Sequence, residues 1–157
     1  MEQFLAEKCG KKLAGLPQDI NGAGLTGSRI DMGKSHRVAV VVAFDDGAGN
    51  IELSLQQHDA ASLGNSKALE IQEKYFIKKD AETSFTEVAA PGASADLGVG
   101  GNSGIAIFEV LSEHLDRDND FSHISANIAS PGANAKVVSV MYDAHLMRHK
   151  PAHDEDL

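Results

Sequence analysis

Three aspartates at alternate positions, Asp116, Asp118 and Asp120, stand in SEHLDRDNDFSHISANIAS at the spacing of the first ligands of a calcium loop. Such a loop next needs a glycine at its sixth position and a bidentate glutamate at its twelfth, where this chain has Phe121 and Asn127. Asp and Asn side chains also bond nearby backbone N–H groups, so a turn before a strand is the expected role, with an irregular calcium site as its rival. His145, His149 and His153 lie four apart and on a helix would share a zinc- or nickel-binding face. Pro151 breaks that helix, and a disordered tail over 147–157 is expected instead.

Other chemistries lack their pattern. A metal-dependent jelly roll of cupin type needs a His-x-His pair, whereas His36, His58, His114 and His123 are isolated. Glu109 and Glu113 would be the candidates for paired acid–base carboxylates, but one falls in a strand and the other in the turn after it. There is no G-x-S-x-G elbow, phosphate loop or dinucleotide fingerprint, and GVGGNSG reads as a mobile loop. Hence no catalytic residue, no metal ligand and no cofactor is assigned, and the chain is not expected to be an enzyme.

The elements that would position any site are short strands. HRVAVVVAF is a β-branched run of strand length, and DDGAGN after it supplies hairpin-turn chemistry. IELSLQQ alternates strictly, with Ile51, Leu53 and Leu55 on one face, as a half-buried antiparallel strand does. HDAASLGNSKAL reads as a loop with one turn of helix. EIQEKYFIKK turns Ile71, Tyr75 and Ile77 inward, TSFTEVAA is a short strand, and IAIFEVL is a buried one. HISANIA puts Ile124, Ala126 and Ile128 together, and KVVSVMYD does the same with Val138, Val140 and Tyr142. Six or seven strands without helical crossovers predict an all-β chain, an antiparallel β-sandwich of jelly-roll type. Ahead of it, Phe4, Leu5, Lys8 and Leu13 have helical spacing, and Gly15, Pro17, Gly22, Gly24 and Gly27 interrupt regular structure. The expected organisation is an N-terminal arm with a short helix over 1–30, the sandwich over 31–146, and the tail.

The chain has 157 residues, no tryptophan and a single cysteine, Cys9, which fits one thin-cored domain made in a reducing cytoplasm. No apolar run is long enough to span a bilayer, and the first residues do not have the form of a secretory signal. A net charge of −9 argues against nucleic acid, which needs clustered Lys and Arg. Residues 1–40 nevertheless balance at +2, leaving −11 for the rest.

Three segments carry a resemblance. FLAEKCGKKLAGLPQDINGAGLTGSRIDMGKSHRVAVVV leads a Gly-rich arm into DMxxxHRV and a strand. IELSLQQHDAASLGNSKALEI has a strand ending Leu-Gln-Gln, a Gly/Ala-rich loop and Lys-Ala-Leu. FEVLSEHLDRDNDFSHISANIA has Glu-Val, Leu-Asp, an acidic turn and a strand. In that order the chain resembles small head structural proteins of tailed bacteriophages, of the capsid decoration or cement family. That family often has Gly before the Phe of the acidic turn, where this chain has Asp120.

The resemblance implies a virion structural protein on the capsid exterior, made in the host cytoplasm, that binds the major capsid protein and stabilises the icosahedral head. A homotrimer without nucleic-acid or membrane partners is expected. The arm, through Phe4, Leu5, Lys8, Lys11, Lys12, Leu13 and Leu16, is the expected capsid interface. The rivals are a carbohydrate-binding module on a virion spike, a head–tail joint component, and a metal-dependent jelly-roll enzyme.

Overall fold

The computed structural model describes residues 9–33 and 35–146. Twelve strands follow in chain order. These are β1 (Cys9–Asp19), β2 (Leu25–Thr26), β3 (Ile30–Asp31), β4 (Ser35–Phe44), β5 (Glu52–His58) and β6 (Ser66–Leu69). After them come β7 (Tyr75–Lys79), β8 (Thr86–Val88), β9 (Ser94–Asp96), β10 (Gly104–Leu111), β11 (His123–Ile128) and β12 (Val137–Leu146). One sheet runs β1-β12-β4-β10-β7-β8 and the other β2-β11-β5-β6, with β3 also beside β11 and β9 beside β5. Every pairing is antiparallel.

Period-two patterning explains the layers. In β4, Val38, Val40, Val42 and Phe44 are buried while Ala39, Val41 and Ala43 turn outward. Ala106, Phe108 and Val110 of β10 and Val138, Val140, Tyr142 and Ala144 of β12 fill the same side. Leu53 and Leu55 of β5 and Ile124, Ala126 and Ile128 of β11 close the core from the facing sheet. The rings of Tyr75 and Phe108 stack with centroids 4.6 Å apart. The Tyr142 hydroxyl reaches across the core and accepts the Ala126 N–H at 2.8 Å. Burial pushes its pKa up to about 12. A Cβ on Gly27 would come within 3.0 Å of that hydroxyl and 2.7 Å of the Ala126 carbonyl, so only glycine fits beside it.

The expected sandwich is therefore found, and its wrapping is that of a jelly roll. β4 pairs with β12 in one sheet while their chain neighbours β5 and β11 pair in the other, so a double ribbon rolls from layer to layer.

Three local expectations differ from the structure. DDGAGN does not close a hairpin, because β4 and β5 belong to different sheets. The inner face of each strand must look at the other, so the turn corners between layers and bonds instead to the segment before β12, through Asp45 N–H to Val137 O and Gly49 N–H to Ala135 O. Of the short helix expected over 2–14, residues 2–8 lie outside the described residues, and from Cys9 the chain is strand β1 instead, which runs beside β12 from Cys9↔His145 to Asp19↔Val137. The ladder offered by β12 outweighs a weak helical spacing, and the sheet thus begins well before the boundary expected at residue 30. Residues 59–65 form bends leading into β6, not a helical turn. The tail expected over 147–157 lies outside the described residues.

Candidate functional site

The Asp-rich turn, the loop after β5 and the segment before β4 meet in one polar junction. Arg29 donates to the Ala60 carbonyl at 2.8 Å, the Leu63 carbonyl at 2.5 Å and Ser66 Oγ at 3.4 Å, which pins the loop 59–65. Lys12 in turn donates to the Arg29 carbonyl at 2.6 Å. Asp59 accepts from the Asn65 backbone and side-chain amides, both at 2.8 Å, and so closes the loop on itself. The carboxylate of Asp116 is paired with the Lys67 ammonium and accepts from Asn119 Nδ2 at 2.8 Å. Those two hydrogen bonds hold its pKa below the usual carboxylate range. The Asp116 N–H donates to Gln57 Oε1 at 2.9 Å, and Arg117 Nη2 to the Met32 carbonyl at 3.2 Å. Met32 N–H reaches the Ser122 carbonyl at 2.7 Å, and Ser122 N–H the His58 carbonyl at 3.0 Å.

The three aspartates do not converge. Asp116 points to Lys67, Asp118 is exposed on the 3₁₀ turn Arg117–Asn119, and Asp120 ends that turn in the left-handed conformation at φ 62°. A left-handed residue explains why a glycine suits this place in the resembling pattern. Among the described residues no group of three His, Cys, Asp or Glu side chains is placed to hold a metal ion.

The histidines are scattered in kind. His58 is buried between two hydroxyls, with Nδ1 2.6 Å from Ser66 Oγ and Nε2 2.8 Å from Ser125 Oγ. Burial, then the nearby Arg29 guanidinium, lowers its pKa from 6.5, so it is neutral at pH 7. His123 lies opposite it on β11, is also lowered chiefly by burial, and contacts Ser122 Oγ at 2.9 Å. His36 is exposed, and His114 Nε2 lies 3.5 Å from the Glu73 carboxylate. His145 sits on β12 opposite Arg37, while His149 and His153 lie outside the described residues. Glu109 is engaged by Arg37 at 3.2 Å and Glu113 is exposed on the 3₁₀ turn Ser112–His114, so the two carboxylates have different surroundings.

Lys136 is the residue that sequence reasoning missed. It is fully buried, and its ammonium donates to the carbonyls of Gly47 at 3.0 Å, Val99 at 2.9 Å and Asn102 at 2.9 Å. Its three N–H groups therefore tie the corner after β4 to the GVGGNSG loop. Burial lowers its pKa, against the opposing pull of Asp45 and Asp46. Nothing local marks it, because its carbonyl partners lie 34 to 89 residues away.

Of the expected capsid-interface residues, Phe4, Leu5 and Lys8 lie outside the described residues. Lys11 pairs with Asp143 at 2.7 Å, Lys12 holds Arg29, and Leu13 and Leu16 are 52% and 67% exposed on β1. Next to them a shallow hollow of about 270 Å³ is lined by Pro17, Ala43, Phe44, Asp45, Val137 and Ser139. Its one carboxylate, Asp45, accepts the backbone N–H groups of Gly47 at 3.1 Å and Val137 at 3.0 Å. No helix among the described residues is long and apolar enough to cross a membrane.

Fold and junction define a class: an antiparallel jelly-roll sandwich whose polar clusters are ties between distant segments. A scan against family models and a comparison with curated proteins each give no match. Among solved structures the chain is similar to one described as "Structure of infectious bursal disease virus Gx strain", at 12% identity and a TM-score of 0.40. The match covers 92% of this chain and 34% of that one, so this chain spans about a third of that chain's length.

Proposed function

We propose that this protein is a virion structural protein of the decoration or cement type, bound as a homo-oligomer to the outer surface of an icosahedral head through the major capsid protein. One observation carries the reading. The three segments that resemble the head proteins meet physically, through Arg29 on Ala60 and Leu63, Lys67 on Asp116, and Arg117 on Met32. Their polar groups are used to hold the fold, which is what a structural role asks of a sequence pattern and what a catalytic role does not. A protein that bridges neighbouring capsid subunits adds binding free energy only in the assembled lattice. Its acidic remainder, facing solvent, keeps particles apart. Mass spectrometry of purified virions, with copy counting, tests the reading. Hundreds of copies are the expected result, whereas a closed ring of about a dozen would move the protein to the head–tail joint. Absence from the particle sinks the proposal.

A further inference from the structure

The outer face of the six-stranded sheet carries a row that the core does not use. In register across five strands stand Leu13 of β1, Met141 of β12, Val41 of β4, Ile107 of β10 and Phe76 of β7. All five side chains point away from the core and are exposed or half-buried, in contrast to their buried strand neighbours. The row on one side adds Ser139, Ala43, Ile105 and Lys78; the row on the other is Lys11, Asp143, Ala39 and Glu109.

From this face we infer a self-association surface, with a second copy of this chain as its occupant. The first argument is symmetry. Val41 lies at the middle of the row, so a two-fold axis along β4 sets Met141 over Ile107 of the second copy and Leu13 over Phe76 of the second copy. Within this row every apolar side chain then meets an apolar one. In the flanking rows Ser139 meets Ile105 and Asp143 meets Glu109 of the second copy, each of these carboxylates already paired within its own copy. Ala39 and Ala43, on the same axis, are small enough to let two sheets approach.

Charge is the second argument. Copies of a chain with net charge −9 repel one another over most of their surface. On this face Lys11 cancels Asp143, Arg37 cancels Glu109, and Lys74, which also lies 5.7 Å over the Phe76 ring, cancels Glu87. With Lys78 added the face carries four cations against three carboxylates, a balance of +1, so copies that are acidic elsewhere can meet there.

The third argument is how the sheet edges are built. β1 carries register shifts on both sides of Gly15 and contains Pro17, and β8 has only three residues. Both features obstruct strand addition, so the face is left as the route to contact. Five strands about 4.8 Å apart and three outward positions about 6.8 Å apart span roughly 500 Å² per copy, hence roughly 1,000 Å² in a pair. That is the low end of specific interfaces, and it fits a weak, reversible dimer. A self-complementary face closes at two copies, where the sequence had suggested a trimer. The inference does not depend on the virion reading.

Sedimentation velocity of the full chain over a concentration series tests it. The expected result is a reversible monomer–dimer equilibrium whose dimer fraction rises with concentration across the series. Val41→Lys places two ammonium groups on the axis and should weaken association at least tenfold with an unchanged circular dichroism spectrum, whereas Leu63→Lys, away from the face, should leave it unchanged. Should Val41→Lys fail to fold, crosslinking replaces it. Val41→Cys in a Cys9→Ser background should give a covalent dimer with a short bis-maleimide, and Leu63→Cys should not. A monomer at every concentration, an oligomer that Val41→Lys leaves intact, or equal crosslinking of both cysteine variants overturns the inference.

Discussion

Replacing Lys136 with methionine removes an ammonium group from a buried cage of three carbonyls and leaves a side chain of similar length in its place. The carbonyls of Gly47, Val99 and Asn102 lose their donor together. A buried acceptor left without a partner costs about 1–3 kcal/mol. Against this, methionine fills the space, and the several kcal/mol spent on desolvating the charge are no longer required. A net loss of about 3 kcal/mol follows, near the lower end of what breaking a buried charged contact costs. With a urea slope of about 2 kcal/mol per molar, the midpoint of unfolding should fall by about 1.5 M. Circular dichroism at the β-sheet band is the assay, since the chain lacks tryptophan. The pH dependence has a definite sign. Burial lowers this amine from its ordinary value of 10.5, so between the folded and unfolded pKa the unfolded chain binds more protons. The amine's contribution to stability therefore rises with pH through that window, and Lys136→Met should lose that rise. A destabilisation below about 1 kcal/mol, or hydrogen exchange in residues 98–104 as slow as in the wild type, would refute the clamp.

The Tyr142 phenol, ordinarily at 10.0 and raised to about 12 by burial, should stabilise the fold below pH 10 and lose that stabilisation as pH rises toward 12, by about 3 kcal/mol. Tyr142→Phe should flatten this alkaline slope in denaturation curves while costing about 1 kcal/mol at neutral pH for the Ala126 N–H it abandons. Leu63, 86% exposed at φ 59°, is a β-branch-free but still unfavourable left-handed residue, and Leu63→Gly should raise stability by about 1 kcal/mol; Asp120→Gly should gain less, because Asp tolerates that conformation. Deleting residues 1–19 should abolish cooperative thermal unfolding, since β1 covers β12 and carries buried Ala14; a deletion variant that melts like the wild type would contradict its place in the sheet. Millimolar calcium or chelator should move the melting temperature by no more than about a degree, and a large stabilisation would reopen the Asp116–Asp120 turn as a cation site.

Most of the sandwich was legible because its strands bury one face at a time. The alternation in Ile51–Leu55, Ile124–Ile128 and Val138–Tyr142 names the inward residues directly, and all of them are buried. β1 was not legible. Among its described side chains only Ala14 enters the core, while Gly15 and Pro17 sit at its register shifts and look like a linker. The corner after β4 has the residues of a hairpin, and only the facing of two inner surfaces decides that it changes layer. Junction residues such as Arg29 and Lys67 were visible only as charges, since their partners are 31 to 49 residues distant. The outer row was hidden for a different reason: its five members come from five strands and acquire a common line only through register.

The pairing of β1 with β12 also sets an order of events at the ribosome. Among the described strands β1 comes first in the chain, and its ladder is formed with the last of them, β12. β4, in the middle of the sheet, can take β10 on one side but must wait for β12 on the other. Until residue 137 is made, the first sheet presents an open edge and a strand without a ladder, both templates for wrong pairing. Closure of contacts so distant in sequence is slow, on the order of milliseconds to seconds for β-sandwiches. Completion of the first sheet must therefore wait until β12 has been made, and a product truncated before β12 cannot complete it at all.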